Sequence, residues 1–160
     1  GQKAVDLGPS NALSHILYSQ ILNYAGAYDL AVPMAELALK LCPKCPAWYE
    51  VKLGRAYADA GRYEDAIRIF QQVLKRAEKG EFPLFLAHSQ LVVNYSMTGQ
   101  YEKARHHLNE TLRDNPGFSL ELVRNINFYK DPRKLEAIFE ALREAGLSDK
   151  TTPVVIPPSE

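Results

Sequence analysis

The side chains of this sequence best suited to chemistry are two closely spaced cysteines, Cys42 and Cys45, and the histidines His88, His106 and His107. The run Cys42-Pro43-Lys44-Cys45 has the spacing of half a tetrahedral zinc site, and imidazole nitrogens are the usual complement. A second ligand pair with proper spacing is missing, however, and the local pattern puts His88 and His106 on different helices. The spacing therefore predicts two free thiols in a loop and neither a metal nor a cofactor. A thioredoxin-like redox motif would need the cysteines at a strand-to-helix junction, and no segment alternates as a strand does. Two cysteines are also too few for the disulfide framework of a secreted mini-protein, which favours a reducing, cytoplasmic setting.

His106 and His107 are neighbours in a helical segment, so they point in different directions and are expected to be solvated rather than jointly catalytic. The carboxylates are spread along helix faces, with Glu64 and Arg68 placed four apart as an acid-to-base pair worth only ~0.2–0.5 kcal/mol. No Ser-His-Asp order, phosphate-cradling glycine loop or dinucleotide fingerprint occurs. The sequence thus predicts no catalytic residues.

The elements that carry these residues form repeats. Gly26-Ala27-Tyr28-Asp29-Leu30-Ala31 recurs as Gly61-Arg62-Tyr63-Glu64-Asp65-Ala66 and as Gly99-Gln100-Tyr101-Glu102-Lys103-Ala104, with the alanines 35 and 38 residues apart. That is close to the ~34-residue period of a helix-turn-helix repeat, the excess falling in the loop around Lys79-Gly80-Glu81-Phe82-Pro83. Each glycine ends a helix, the acidic residue enters the first turn of the next, where the helix dipole favours it, and the alanine lets the two helices approach closely. Apolar residues at helical spacing precede each glycine, among them Leu17 and Ile21, Leu53 and Tyr57, and Leu91 and Tyr95. Ile67, Phe70, Val73 and Leu74 continue the pattern after Ala66, and Pro43 and Pro116 close the first and third units.

Beyond Pro116 the signature is lost, but Leu120, Leu122, Val123 and Ile126 predict one further helix. Another starts at Asp131-Pro132, runs through Leu135, Ile138, Phe139 and Leu142, and stops at Gly146. The result is an all-α domain over residues 1–150, with repeats at about 12–45, 47–80 and 85–118, a capping helix pair at about 119–146 and an extended tail at 151–160. The 160 residues suit one domain. With 19 basic and 19 acidic side chains there is no field to gather a polyanion, so nucleic acid is not an expected ligand. No apolar stretch approaches the ~20 residues of a membrane span, and no secretory signal pattern stands near Gly1.

The glycine, tyrosine, alanine and proline positions resemble tetratricopeptide repeats over about residues 12–118, which implies a right-handed solenoid. Cys45-Pro46-Ala47-Trp48-Tyr49, Leu53-Gly54-Arg55-Ala56-Tyr57 and Ala60-Gly61-Arg62-Tyr63-Glu64-Asp65-Ala66-Ile67 are similar to the repeat region downstream of bacterial class III adenylate/guanylate cyclase domains. Asn115-Pro116-Gly117-Phe118, Phe128-Tyr129-Lys130-Asp131-Pro132 and Ala141-Leu142-Arg143-Glu144-Ala145-Gly146-Leu147 resemble the way those regions end. Related repeats also accompany some bacterial transcriptional regulators. The resemblance implies a non-catalytic interaction module that binds a protein or peptide segment, or another domain of its parent; a homodimerising module is the alternative.

In such a solenoid the first helix of each pair lines the inner wall. Placing the period on this sequence gives a candidate groove of Leu13, Ile16, Gln20 and Tyr24, then Trp48, Val51, Lys52, Arg55 and Asp59, then Ser89, Gln90, Val93 and Met97. Trp48 and Arg55 are types enriched at binding hot spots, although a tryptophan here can equally wedge between repeats. Ile16, Gln20 and Lys52 are not the lysine and asparagine set of a carboxylate clamp. The apolar Val154-Val155-Ile156-Pro157 of the tail is a candidate to lie in an apolar groove.

Overall fold

A computed structural model describes residues 9–126 and 131–149. Residues 128–130, part of the cyclase-like ending, and the 151–160 tail lie outside the described residues. Eight helices follow in order: α1 (Pro9–Tyr24), α2 (Tyr28–Leu41), α3 (Ala47–Asp59), α4 (Tyr63–Glu78), α5 (Leu84–Met97), α6 (Tyr101–Asp114), α7 (Leu120–Ile126) and α8 (Pro132–Ala145). No strand occurs among the described residues. Consecutive helices pack as α1 on α2, α3 on α4 and α5 on α6, and each pair stacks on the next. The architecture is the all-α solenoid expected from the period.

The turns follow from the repeated glycines. Gly26, Gly61 and Gly99 have φ of 83°, 79° and 75°, a left-handed backbone that costs other residues energy. After each one the chain closes the same way, with the amides of Ala27, Arg62 and Gln100 donating to the carbonyls of Leu22, Tyr57 and Tyr95. Asp29, Glu64 and Glu102 then stand in the first turns of α2, α4 and α6, against the positive end of the helix dipole. At α8 the expected cap is present: the Asp131 carboxylate accepts from the Arg133 amide at 3.0 Å, and Gly146 ends the helix.

Within a pair the helices meet through small residues. Ala31, Ala66 and Ala104 are fully buried. On α3 the contact is tighter still, because a Cβ on Gly54 would stand 2.6 Å from Cζ of the fully buried Phe70 on α4. A single core runs from Ala12 and Ile16 through Leu53, Phe70 and Leu91 to Phe139 and Leu142.

Two expectations about single residues are corrected. Cys42 and Cys45 are not free thiols: the tight turn between α2 and α3 brings their Cα atoms to 5.3 Å, inside disulfide range, and the sulfurs are bonded. Arg68 pairs with Asp65 at 3.0 Å rather than with Glu64, since both Asp65 oxygens are oriented by arginines, Arg62 taking the other.

The histidines are also placed differently. His107 faces inward, where its Nδ1 lies 2.9 Å from Nδ1 of His88 across the α5–α6 interface and its ring stacks on Tyr95. Such a bond needs one N–H donor and one free lone pair, so it requires neutral rings. Burial, reinforced by His88 and His106, pushes His107 down to about 4, and burial lowers His88 as well.

Gly54→Ala should destabilise the fold by about 1–3 kcal/mol through overpacking against Phe70, despite the better helix propensity of alanine; chemical denaturation measures it. Between pH 6.5 and 4 the unfolded chain takes up protons on His107 and His88 that the folded chain refuses, so stability falls as pH falls through that window. Denaturation midpoints at pH 7 and pH 4.5 should differ by an extra 1–2 kcal/mol, on the order expected for such a shift, in the wild type relative to His107→Phe.

Candidate functional site

The last helix pair does not simply add a fourth layer. It is α8, rather than α7, that packs against both α5 and α6, while α7 leans on α8. The first turn of α8 reaches back along the inner wall: Lys134 donates to the Asp59 backbone carbonyl at the end of α3, and its ammonium lies 3.5 Å from the Asp59 carboxylate. The same ammonium sits 3.5 Å from the centre of the Tyr28 ring, at the start of α2. Asp59 also accepts from Asn23 of α1 at 2.6 Å. One carboxylate thus gathers α1, α3 and α8, with α2 joined through the cation over Tyr28.

Burial dominates the electrostatics of this cluster. Lys134 is pushed below the usual lysine range by desolvation, which Asp59 only partly offsets. Tyr28 and Tyr63 are raised, first by burial and then by the Asp59 charge. Lys52, half-buried further along α3, is lowered by burial and by neighbouring Arg55.

Between α3, α5, α7 and α8 lies a cavity of about 290 Å³. Its walls are mostly apolar. Val51 and Ala58 come from α3, Phe85, Leu86, Val93 and Met97 from α5, Phe118 and Leu122 from the chain into α7, and Ala137 and Ile138 from α8. Polar groups enter at Arg55, Asp59, Lys134, Ser89, Gln90 and Asn94. Asn94 is buried; its Nδ2 donates to the Gln90 carbonyl, whereas Oδ1 has no donor among the described residues. No group of three or more histidine, cysteine or acidic side chains suited to a metal occurs among the described residues.

A tetratricopeptide repeat model matches residues 9–79 and 46–114, spanning the three helix pairs that wall this cavity on one side. The chain belongs to the tetratricopeptide repeat family. Over 86 residues, 54% of the chain, it is 26% identical to tetratricopeptide repeat protein 8 of Mus musculus, and it spans 17% of that protein's length. Tetratricopeptide repeats are non-catalytic modules that mediate protein–protein interaction. No described helix is long and apolar enough to cross a membrane.

Within this tetratricopeptide repeat domain, seven of the expected groove residues come together at the cavity: Val51, Arg55, Asp59, Ser89, Gln90, Val93 and Met97. The other six do not. Ile16 is fully buried in the core and presents nothing to a ligand. Leu13 and Tyr24 are exposed on α1, away from the cavity lining, and Gln20 donates to the Tyr24 hydroxyl at 2.9 Å. Trp48 takes the wedge option, half-buried against the core with its ring 4.2 Å from that of Tyr49. Lys52 is half-buried outside the lining.

The far wall was not expected. Phe82 had a signal, an aromatic beside Pro83 in an otherwise polar loop, in the place where the third repeat exceeds its period. Leu122 and Ile138 were visible as apolar positions of the capping helices, but nothing in the pattern says that their helices fold over α3 and α5. Lys134 carries no signal at all.

Asp59→Ala should cost about 2–4 kcal/mol, because it leaves the buried Lys134 ammonium and the Asn23 amide without that carboxylate. Hydrogen exchange should show the loss concentrated in α8, with α4 and the α4–α5 interface protected as before.

Proposed function

We propose that this tetratricopeptide repeat domain holds a partner polypeptide at the α3–α5 wall by inserting apolar side chains into the cavity. The observation that carries this reading is the union of an apolar lining with a sparse set of polar groups, the arrangement by which specific sites fix orientation as well as affinity. A volume of about 290 Å³ suits a few side chains of a bound segment rather than its whole length. Met97 supplies an adaptable surface, Arg55 a planar donor at the rim, and Asn94 Oδ1 an acceptor for a backbone or side-chain N–H.

The similarity of residues 30–148 to cyclase-linked repeat regions supports a place in a bacterial adenylate/guanylate cyclase-like signalling protein. There the bound segment belongs to a separate partner or to a regulatory or catalytic domain of the parent. A cytoplasmic setting goes with this reading, although the bonded Cys42–Cys45 pair removes free thiols as an argument for it.

Peptides selected from a displayed random library against the whole chain should be rich in apolar side chains and should lose at least tenfold in affinity to Val93→Glu. Gln71→Glu, on the exposed side of α4, should leave their affinity unchanged. Calorimetric titration of the two variants decides the matter. Peptides that bind Val93→Glu as tightly as the wild type would remove the cavity from the binding reaction.

A further inference from the structure

The strongest feature outside the cavity is the outer face of the first repeat. Six of the eight large apolar side chains that are most exposed lie on α1 and the start of α2: Leu13, Leu17, Tyr18, Ile21, Tyr24 and Leu30. Helix α1 carries no Asp, Glu, Lys or Arg in its sixteen residues. A surface helix normally keeps its charges on the side facing water, and α1 has none to keep there.

The internal repeat shows what this face is for. Counting back 35 residues from α3, and 38 from α5 to α3, Tyr18 corresponds to Leu53 and Leu91, and Ile21 to Ala56 and Asn94. Those four residues are 5%, 0%, 0% and 1% exposed, whereas Tyr18 and Ile21 are 52% and 62% exposed. Helix α3 is covered by α2 and α5 by α4; what α1 lacks is the covering helix. Its exposed positions are helix-receiving positions with apolar side chains in place.

A second copy could supply that helix in two ways, and charge separates them. Head-to-tail stacking would lay α6 of one copy on α1 of the next. The position at which α2 and α4 carry the buried Val32 and Ile67 is, on α6, the exposed Arg105, in a helix whose outer surface also bears Glu102, Lys103 and Arg113. Pressing those charges onto an apolar face costs more than it returns. A two-fold arrangement brings α1 against α1, where each uncharged stripe meets its own copy with no like charges opposed.

We infer that this chain forms a two-fold dimer through α1, in which each α1 takes the place that a preceding repeat's second helix would occupy. The result is a four-helix arrangement of α1, α2 and their copies, roughly 24 Å long by the rise of a sixteen-residue helix. The cavity between α3, α5, α7 and α8 plays no part in it.

Analytical ultracentrifugation of the whole chain from low micromolar to submillimolar concentration tests this. The wild type should pass from monomer to dimer across the range. Ile21→Glu and, separately, Leu17→Lys should raise the dissociation constant at least tenfold while the far-UV circular dichroism keeps its helical signal. Both side chains are exposed in the single chain, so neither is needed for its folding. A wild type that stays monomeric throughout overturns the inference, as does a dimer that survives both substitutions. A dimer abolished by Val93→Glu instead would place the contact in the cavity and overturn it equally.

Discussion

Close approach of paired helices is the constraint on which the rest of this molecule depends. The gap between α3 and α4 is set by Gly54 lying under the ring of Phe70, with no room for a methyl group. The corresponding positions in the other pairs hold Ser19 with Ala35 and Val92 with Leu108, so the volume moves from one helix to the other while the pair stays narrow. Ser19 adds a bond of its own, donating to the Ala31 carbonyl at 2.7 Å. If a pair opened, its outer residues would lose register with the next pair, because close-packed interiors transmit such shifts rather than absorb them. The wall formed by Val51, Arg55, Ser89 and Val93 therefore owes its shape to residues on the opposite side of the same helices.

The inner wall is completed by a second arrangement, of a different kind. Asp59 closes α3 and faces three elements at once, and the cost of burying its charge is met by Lys134 and Asn23 together. This fixes the start of α8 over the junction of the first two repeats, while Phe139 and Leu142 further along α8 enter the core. The cavity is what remains between a helix pinned at its polar start, packed at its apolar middle, and the two inner helices beneath it. Its mixed lining follows: apolar where α8 packs, charged where it is pinned.

Three repeats could be read in the sequence because each turn depends on local chemistry. A glycine at positive φ, an acidic first turn and an alanine at the crossing are requirements of adjacent residues, and adjacent residues are what a sequence displays. Half of the candidate site could be read for the same reason, since Val51, Arg55, Asp59, Ser89, Gln90, Val93 and Met97 follow from the inward face of α3 and α5. The rest could not. Ile16 holds a position that the period marks as inward, but in the first repeat that position is sealed within the core. Lys134 reaches Asp59 across 75 intervening residues, and no periodicity carries that information. The bonded cysteines show the opposite failure: their spacing was plain, but its geometric meaning depended on the turn that Pro43 and Lys44 make.

A linear stack of repeats contacts only its neighbours, and its ends can fray while the middle stays folded. The return of α8 changes that. Through Lys134, Asp59, Asn23 and Tyr28 the last helix is tied to the first, second and third, so the C-terminal end cannot peel away without breaking contacts at the N-terminal one. The array behaves as a closed loop instead of a ribbon. Its repeats are committed to a single cooperative transition, slower to assemble because the closing contacts span most of the chain, and with fewer partly open states for proteases to find.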